Sequence, residues 1–286
     1  MIKLFTDTSA NLPLSIIRSE DIQVLSFSYT FNGVPADYNE ETEFDGKWFY
    51  DLMRKGVEVK TSLVNVDQFL KAFEPYVRNG HAVLYVGMSG GVSGTANAAR
   101  LAAEELREKY PEAKISTIDT YAASMGEGLQ VMRASELIKS GMEFEDVVNT
   151  ILDERQYMSQ YFTVDDLQYL RKGGRISGTS AVIGNILSIK PILTGDPDGH
   201  IVLHEKVRGS RMALKNLADK YDKLCSDKSA MISIAHADNP EGTAALLELL
   251  KGKGLTGECI TVCYEPVTGS HVGPGTIALF FKGIHK

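Results

Sequence analysis

The chain has 286 residues, 43% hydrophobic and 23% charged, with a formal net charge of -7 at pH 7. That length favours two cores over one, and the acidic balance excludes nucleic acid as main partner, which would need a basic stripe. No run approaches the ~20 apolar residues of a membrane span, no basic and apolar leader opens the chain, and Cys225, Cys259 and Cys263 show no metal-ligand spacing. These features predict a cytoplasmic protein with no stable membrane insertion, no metal and no cofactor.

Strand and helix patterns alternate through the first half. Residues 2–7 read as a strand, and a helix follows with Asn11 as N-cap and Pro13 in its first turn. Residues 22–31 form a long β-rich run, and residues 45–55 an amphipathic helix whose Trp48 serves packing. A helix at 66–79, a buried strand at 82–86, a helix at 95–110 ended by Pro111 and a strand at 115–118 follow. Helices at 124–139, stopped by Gly141, and at 144–157 complete this half. Such alternation predicts a parallel, doubly wound sheet with helices on both faces.

The second half mixes its signals. It reads as a strand at 160–164, a short helix at 165–171 closed by Gly173-Gly174, a helix at 180–189, and a hairpin turning at Asp196-Pro-Asp-Gly199. Helices at 211–224 and 243–250 then alternate with strands at 230–235, 260–264 and 276–281. Cys259 and Cys263, four apart in a strand-like run, read as small core residues. The expectation is two α/β domains, 1–158 with a parallel sheet and 159–286 with a mixed sheet.

Gly269-Ser-His-Val-Gly-Pro-Gly275 holds three glycines and a proline around His271, a composition that predicts a loop. It reads either as a tight turn with an incidental histidine or as a site loop. Met88-Ser-Gly-Gly-Val-Ser-Gly-Thr95 joins a strand to a helix, where glycines admit a ligand to the backbone and the helix start favours negative charge. Lys60-Thr61-Ser62 is a hydroxyl cluster or an ordinary helix approach, and Arg171 and Arg175 flank a double-glycine helix stop. Gly87-Met-Ser-Gly-Gly91 also satisfies the G-x-S-x-G elbow, with Ser89, Asp119 or Asp165, and His271 in a permitted order. The helix there starts about four residues too late for an elbow, yet an α/β-type serine hydrolase using Ser89 stands as the alternative.

Seven motifs in order resemble the DegV family over nearly the whole chain. They are Asp7-Thr-Ser-Ala-Asn-Leu-Pro13, Lys60-Thr-Ser62, Ser89-Gly-Gly-Val-Ser-Gly-Thr95, Asp165-Asp-Leu-Gln-Tyr-Leu-Arg-Lys-Gly-Gly-Arg-Ile-Ser177, Lys190-Pro-Ile-Leu193, Lys206-Val-Arg-Gly209 and Ser270-His-Val-Gly-Pro-Gly275. That resemblance implies a fatty-acid-binding protein, not itself an enzyme. It would hold one long-chain acid such as palmitate in an apolar tunnel, its carboxylate between the domains. The acid would be presented to a separate fatty acid kinase subunit, with an acyltransferase as a second candidate partner. It further implies that Thr61 and Ser93 hold the carboxylate with Ser62 close by. Arg171 and His271 would form the polar network behind it, and Gly91, Gly94 and Gly273 would support the loops. Departures from the family pattern at Thr61-Ser-Leu-Val-Asn65, Asp37-Tyr38-Asn39 and Met88 bear on chain-length or saturation preference.

Overall fold

A computed structural model describes residues 1–36, 44–176 and 189–284. The first half runs β1 (Ile2–Asp7), α1 (Leu14–Ser19), β2 (Gln23–Leu25), β3 (Ser28–Phe31), β4 (Val34–Ala36), α2 (Gly46–Arg54), β5 (Val59–Ser62) and α3 (Val66–Arg78). Next come β6 (Ala82–Gly87), α4 (Thr95–Lys109), β7 (Ile115–Asp119), α5 (Met125–Lys139) and α6 (Phe144–Glu154). The second half comprises β8 (Met158–Thr163), α7 (Gln168–Lys172), β9 (Ile189–Gly195), β10 (Ile201–Arg208), α8 (Ser210–Leu224), β11 (Ile232–His236), α9 (Pro240–Gly252), β12 (Cys259–Cys263), α10 (Pro266–Val272) and β13 (Ile277–Lys282).

Alternation along β6 builds the first sheet's two faces, because successive strand side chains point opposite ways. Val83 and Tyr85 pack under α3 and α4 with Phe69, Phe73 and the alanines 98, 99, 102 and 103. Leu84 and Val86 face the other way, onto Met125, Val131 and Ala134 of α5. The sheet is parallel throughout, in the order β2-β1-β6-β7. The second sheet, ordered β10-β9-β8-β13-β11-β12, is antiparallel except for the β11–β12 pair. Along β13, Ile277, Leu279 and Phe281 pack with residues of α8 and α9. Ala278 and Phe280 point to the opposite side and join the α5 cluster. Helix α5 is thus buried between the two sheets, and one apolar core runs through both halves of the chain.

Several local expectations are corrected. Residues 22–31 do not form one strand: β2 belongs to the parallel sheet, while β3 joins a separate antiparallel sheet, β4-β3-β5. Asn11 is not an N-cap; it follows a short 3-10 turn in the left-handed region, φ 54°, and Pro13 occupies the cap of α1. Trp48 is exposed rather than buried, resting edge-on against Phe31. Cys259 and Cys263 are only half-buried at the ends of β12. The helix expected at 180–189 lies outside the described residues except for Ile189, which opens β9.

Candidate functional site

A narrow cavity of about 70 Å³, partly open to solvent, lies between the two sheets. Phe27, Met88, Val92, Phe162, Ile201 and Phe280 supply apolar wall, drawn from both halves of the chain. Thr61, Ser93, Arg175, Thr268 and His271 also line it. Apolar walls with a few convergent polar groups are the usual form of a small-molecule site.

Thr61 reaches the cavity because β5 alternates: Val59 and Thr61 turn inward, while Lys60 and Ser62 are exposed. Its Oγ1 lies 2.9 Å from His271 Nε2. The segment around His271 is not the loop its glycines suggested. Residues 266–272 form α10, with Pro266 in its first turn and Glu265 as N-cap, and His271 sits in the last turn. Glu265 accepts from the Val267 amide at 2.6 Å and the Thr268 amide at 2.7 Å, satisfying donors that a helix start leaves free. Asn11 Nδ2 donates to the same carboxylate at 3.1 Å, and Ser124 Oγ donates to Asn11 Oδ1 at 3.0 Å. Ser124 opens α5 at φ 54° and ψ -138°, a conformation L residues rarely adopt. A chain of polar contacts therefore runs from the start of α5 to the start of α10.

Charge at the site is unusual. Burial, with the nearby Arg175 charge second, pushes the His271 pKa down to about 4, so the ring is neutral at pH 7. Arg175 donates to the Gly173 carbonyl and has no carboxylate partner among the described residues. Burial lowers its pKa, since desolvation disfavours the charged form. A half-buried guanidinium with no carboxylate beside it among the described residues is stabilised when an anion arrives. Burial also pushes Glu265 up to about 7.

The structure brings Thr61, Ser93 and His271 to one cavity and leaves two expected residues out. Ser62 is exposed, and so is Arg171; Arg175, four residues later, is the arginine that lines the cavity. Ser93 Oγ shares a 2.9 Å hydrogen bond with Thr95 Oγ1 just before α4. The supporting glycines have steric reasons. A Cβ on Gly91 would lie 2.8 Å from the Gly199 backbone, and one on Gly94 would lie 3.2 Å from Leu63 Cδ2. Gly273 ends α10 at φ 79°, where a Cβ would meet the Tyr169 ring at 2.3 Å. Sequence reasoning passed over Thr268, Ser124 and Gln160, which look like ordinary helix and strand residues until the two sheets are brought together.

Ser89 is buried and donates to the Gly199 carbonyl at 3.0 Å, while its oxygen accepts from the Gly91 amide at 3.1 Å. It fastens the β6–α4 loop to the β9–β10 hairpin. No histidine is hydrogen-bonded to it among the described residues, whereas an activated serine requires a base within reach.

Fold and cavity together define an α/β protein of three sheets with an apolar cavity whose wall carries hydroxyls and a guanidinium. The family model described as an uncharacterised protein of the DegV family matches residues 1–283, and the chain belongs to that family. It is 37% identical over 284 residues to a DegV domain-containing protein of Clostridium perfringens, covering 99% of this chain and 98% of that protein. Among solved structures it resembles a DegV family protein from Thermus thermophilus described by its fatty acid binding, with a TM-score of 0.87, 27% identity and 98% of each chain covered. A fatty-acid-binding DegV family protein from Streptococcus agalactiae has a TM-score of 0.86 and 32% identity, again with 98% of each chain covered. No helix among the described residues is long and apolar enough to cross a membrane.

Proposed function

We propose that the chain binds one long-chain fatty acid with its tail in the cavity and its carboxylate at Thr61, Ser93 and Arg175. The observation that carries this reading is Arg175, a cation without a carboxylate partner among the described residues, on the wall of an apolar cavity. Burying a ~16-carbon chain at about 0.8 kcal/mol per methylene contributes roughly 12 kcal/mol before association costs, so the tail supplies most of the affinity. Hydroxyls and the guanidinium then orient the head group. Neutral His271, bonded to Thr61, aligns that hydroxyl rather than pairing with the anion. The solved relatives described as fatty-acid-binding support the ligand class.

In this reading the protein is a carrier in the cytoplasm. It presents the carboxylate to a fatty acid kinase subunit for phosphorylation, as the resemblance to the DegV family implies. Exposed Lys206, Arg208 and Arg211 offer that partner a basic surface. One experiment tests both halves: palmitate titration of the delipidated protein, with acyl phosphate formation measured after adding a bacterial fatty acid kinase subunit. Saturable one-to-one binding and acyl phosphate dependent on Arg208 and Arg211 are expected. Absence of binding would remove the carrier reading, whereas binding without acyl phosphate would remove only the kinase partnership.

A further inference from the structure

The Asp7-Thr-Ser-Ala-Asn11 segment at the end of β1 has no part in the head-group site, yet it holds three parts of the cavity wall. Asp7 accepts from the Met88 amide, Thr8 Oγ1 accepts from the Phe27 amide at 3.2 Å, and Asn11 Oδ1 accepts from Ser124 Oγ at 3.0 Å. Phe27, Met88 and Ser124 all line the cavity. Two carboxylates are buried at this segment: Asp7 with 1% of its surface exposed, and Glu127, in the first turn of α5, with 0%. Neither has a cationic partner among the described residues.

The two acids meet at one hydroxyl. Ser9 Oγ is hydrogen-bonded to Asp7 Oδ1 and lies 2.9 Å from Glu127 Oε2. A serine hydroxyl has one proton to give, so both contacts are hydrogen bonds only if one of the carboxyls carries a proton. Asp7 receives four donors: the Ser9 amide and hydroxyl, the Tyr85 hydroxyl and the Met88 amide. Glu127 has only Thr6 Oγ1, at 3.1 Å, besides Ser9. Four donors hold Asp7 as the anion, outweighing the pull of the α5 start on a negative Glu127. We propose that Glu127 is a neutral carboxylic acid donating to Ser9, and that Asp7, fixed in this way, is a positioning residue for the Met88 end of the β6–α4 loop. Burial, with the Asp7 charge second, raises the Glu127 pKa in the same sense. The titratable groups around Glu127 are Asp7 on β1, Tyr85 on β6 and Glu265 at the start of α10, none of them a cation. The positioning role rests on the fatty-acid reading above; the proton on Glu127 does not.

Infrared spectra and palmitate titrations of the delipidated parent, Glu127→Gln, Asp7→Asn and Ser9→Ala test it. At neutral pH the parent should show the carbonyl band of a buried protonated carboxylic acid that Glu127→Gln lacks. Identical spectra in that region would overturn the proposal. A glutamine amide reproduces the donor and acceptor of a neutral acid, so Glu127→Gln should bind palmitate within about threefold of the parent. Asp7→Asn sets an amide donor against groups that themselves donate, and should bind roughly tenfold more weakly. Equal losses in the two amide variants, or the larger loss in Glu127→Gln, would overturn the assignment of acid and anion. Should Asp7→Asn not fold, Ser9→Ala removes only the bridging hydroxyl and is expected to lose about fivefold in affinity. Parent-like palmitate affinity in a folded Asp7→Asn or Ser9→Ala would overturn the positioning role. A parent that takes up no palmitate would instead overturn the functional reading beneath it, while the infrared band would still decide where the proton sits.

Discussion

Thr61 and His271 stand 210 positions apart in sequence and 2.9 Å apart in space, and this contact anchors the polar side of the cavity. Arg175 stands beside His271, close enough for its charge to lower the ring's pKa. If Arg175 meets the carboxylate, Arg175→Ala should weaken palmitate binding by about tenfold or more, while Arg171→Ala, at an exposed position, should change it little. Combined Thr61→Ala and Ser93→Ala should cost a similar amount, because each removes one hydroxyl donor. Equal effects of the two arginine variants in a titration would contradict the assignment. The sequence made Thr61, Ser93 and His271 legible, since each sits in a distinctive hydroxyl- or glycine-rich motif. The resemblance pointed to Arg171 rather than Arg175, which lines the cavity after the chain turns at Gly174, φ 71°, beyond the end of α7.

At the scale of elements, α10 is where composition misled most. Gly269, Ser270 and Gly273 argue for a loop, but Glu265 and Pro266 start a helix that its glycines alone would not sustain. Five cavity-lining residues, Tyr264, Val267, Thr268, His271 and Val272, depend on this segment. Its cap titrates in an accessible range. The Glu265 pKa is raised from 4.5 to about 7, so between those values the folded state holds a proton the unfolded chain releases. Stability from this group is complete below pH 4.5 and is lost as pH rises toward 7. His271 acts in the opposite sense: lowered from 6.5 to about 4, it loses stability as pH falls through that window. Glu127 and Asp7, also buried and raised by burial, act in the same direction as Glu265. Glu265→Gln removes only one of these titrating groups. Its thermal midpoint should fall less than the parent's between about pH 5 and about pH 8. An identical pH profile would show that Glu265 carries no shifted proton.

On the scale of the whole molecule, the two sheets are joined by α5, by the common apolar core, and by polar links such as Ser89 to Gly199 and Arg54 to Asp238. The parallel first sheet and mixed second sheet were readable from alternating strand and helix periods. The small sheet containing Thr61 was not, since strands of three or four residues carry too little pattern to separate from loops. Nor was the cavity readable, because side chains lining a ligand space have the same spacing as those filling a core. Val86 and Phe280 point toward each other's sheets, and only their packing around α5 reveals the space left beside it. The account therefore stands on what occupies that space. Protein purified without added lipid, extracted under denaturing conditions and analysed by mass spectrometry, tests it directly. The account predicts about one long-chain fatty acid per chain, reduced when Arg175 is replaced by alanine. Recovery of a nucleotide or sugar, or of no acyl chain from protein that also fails to take up palmitate, would contradict it.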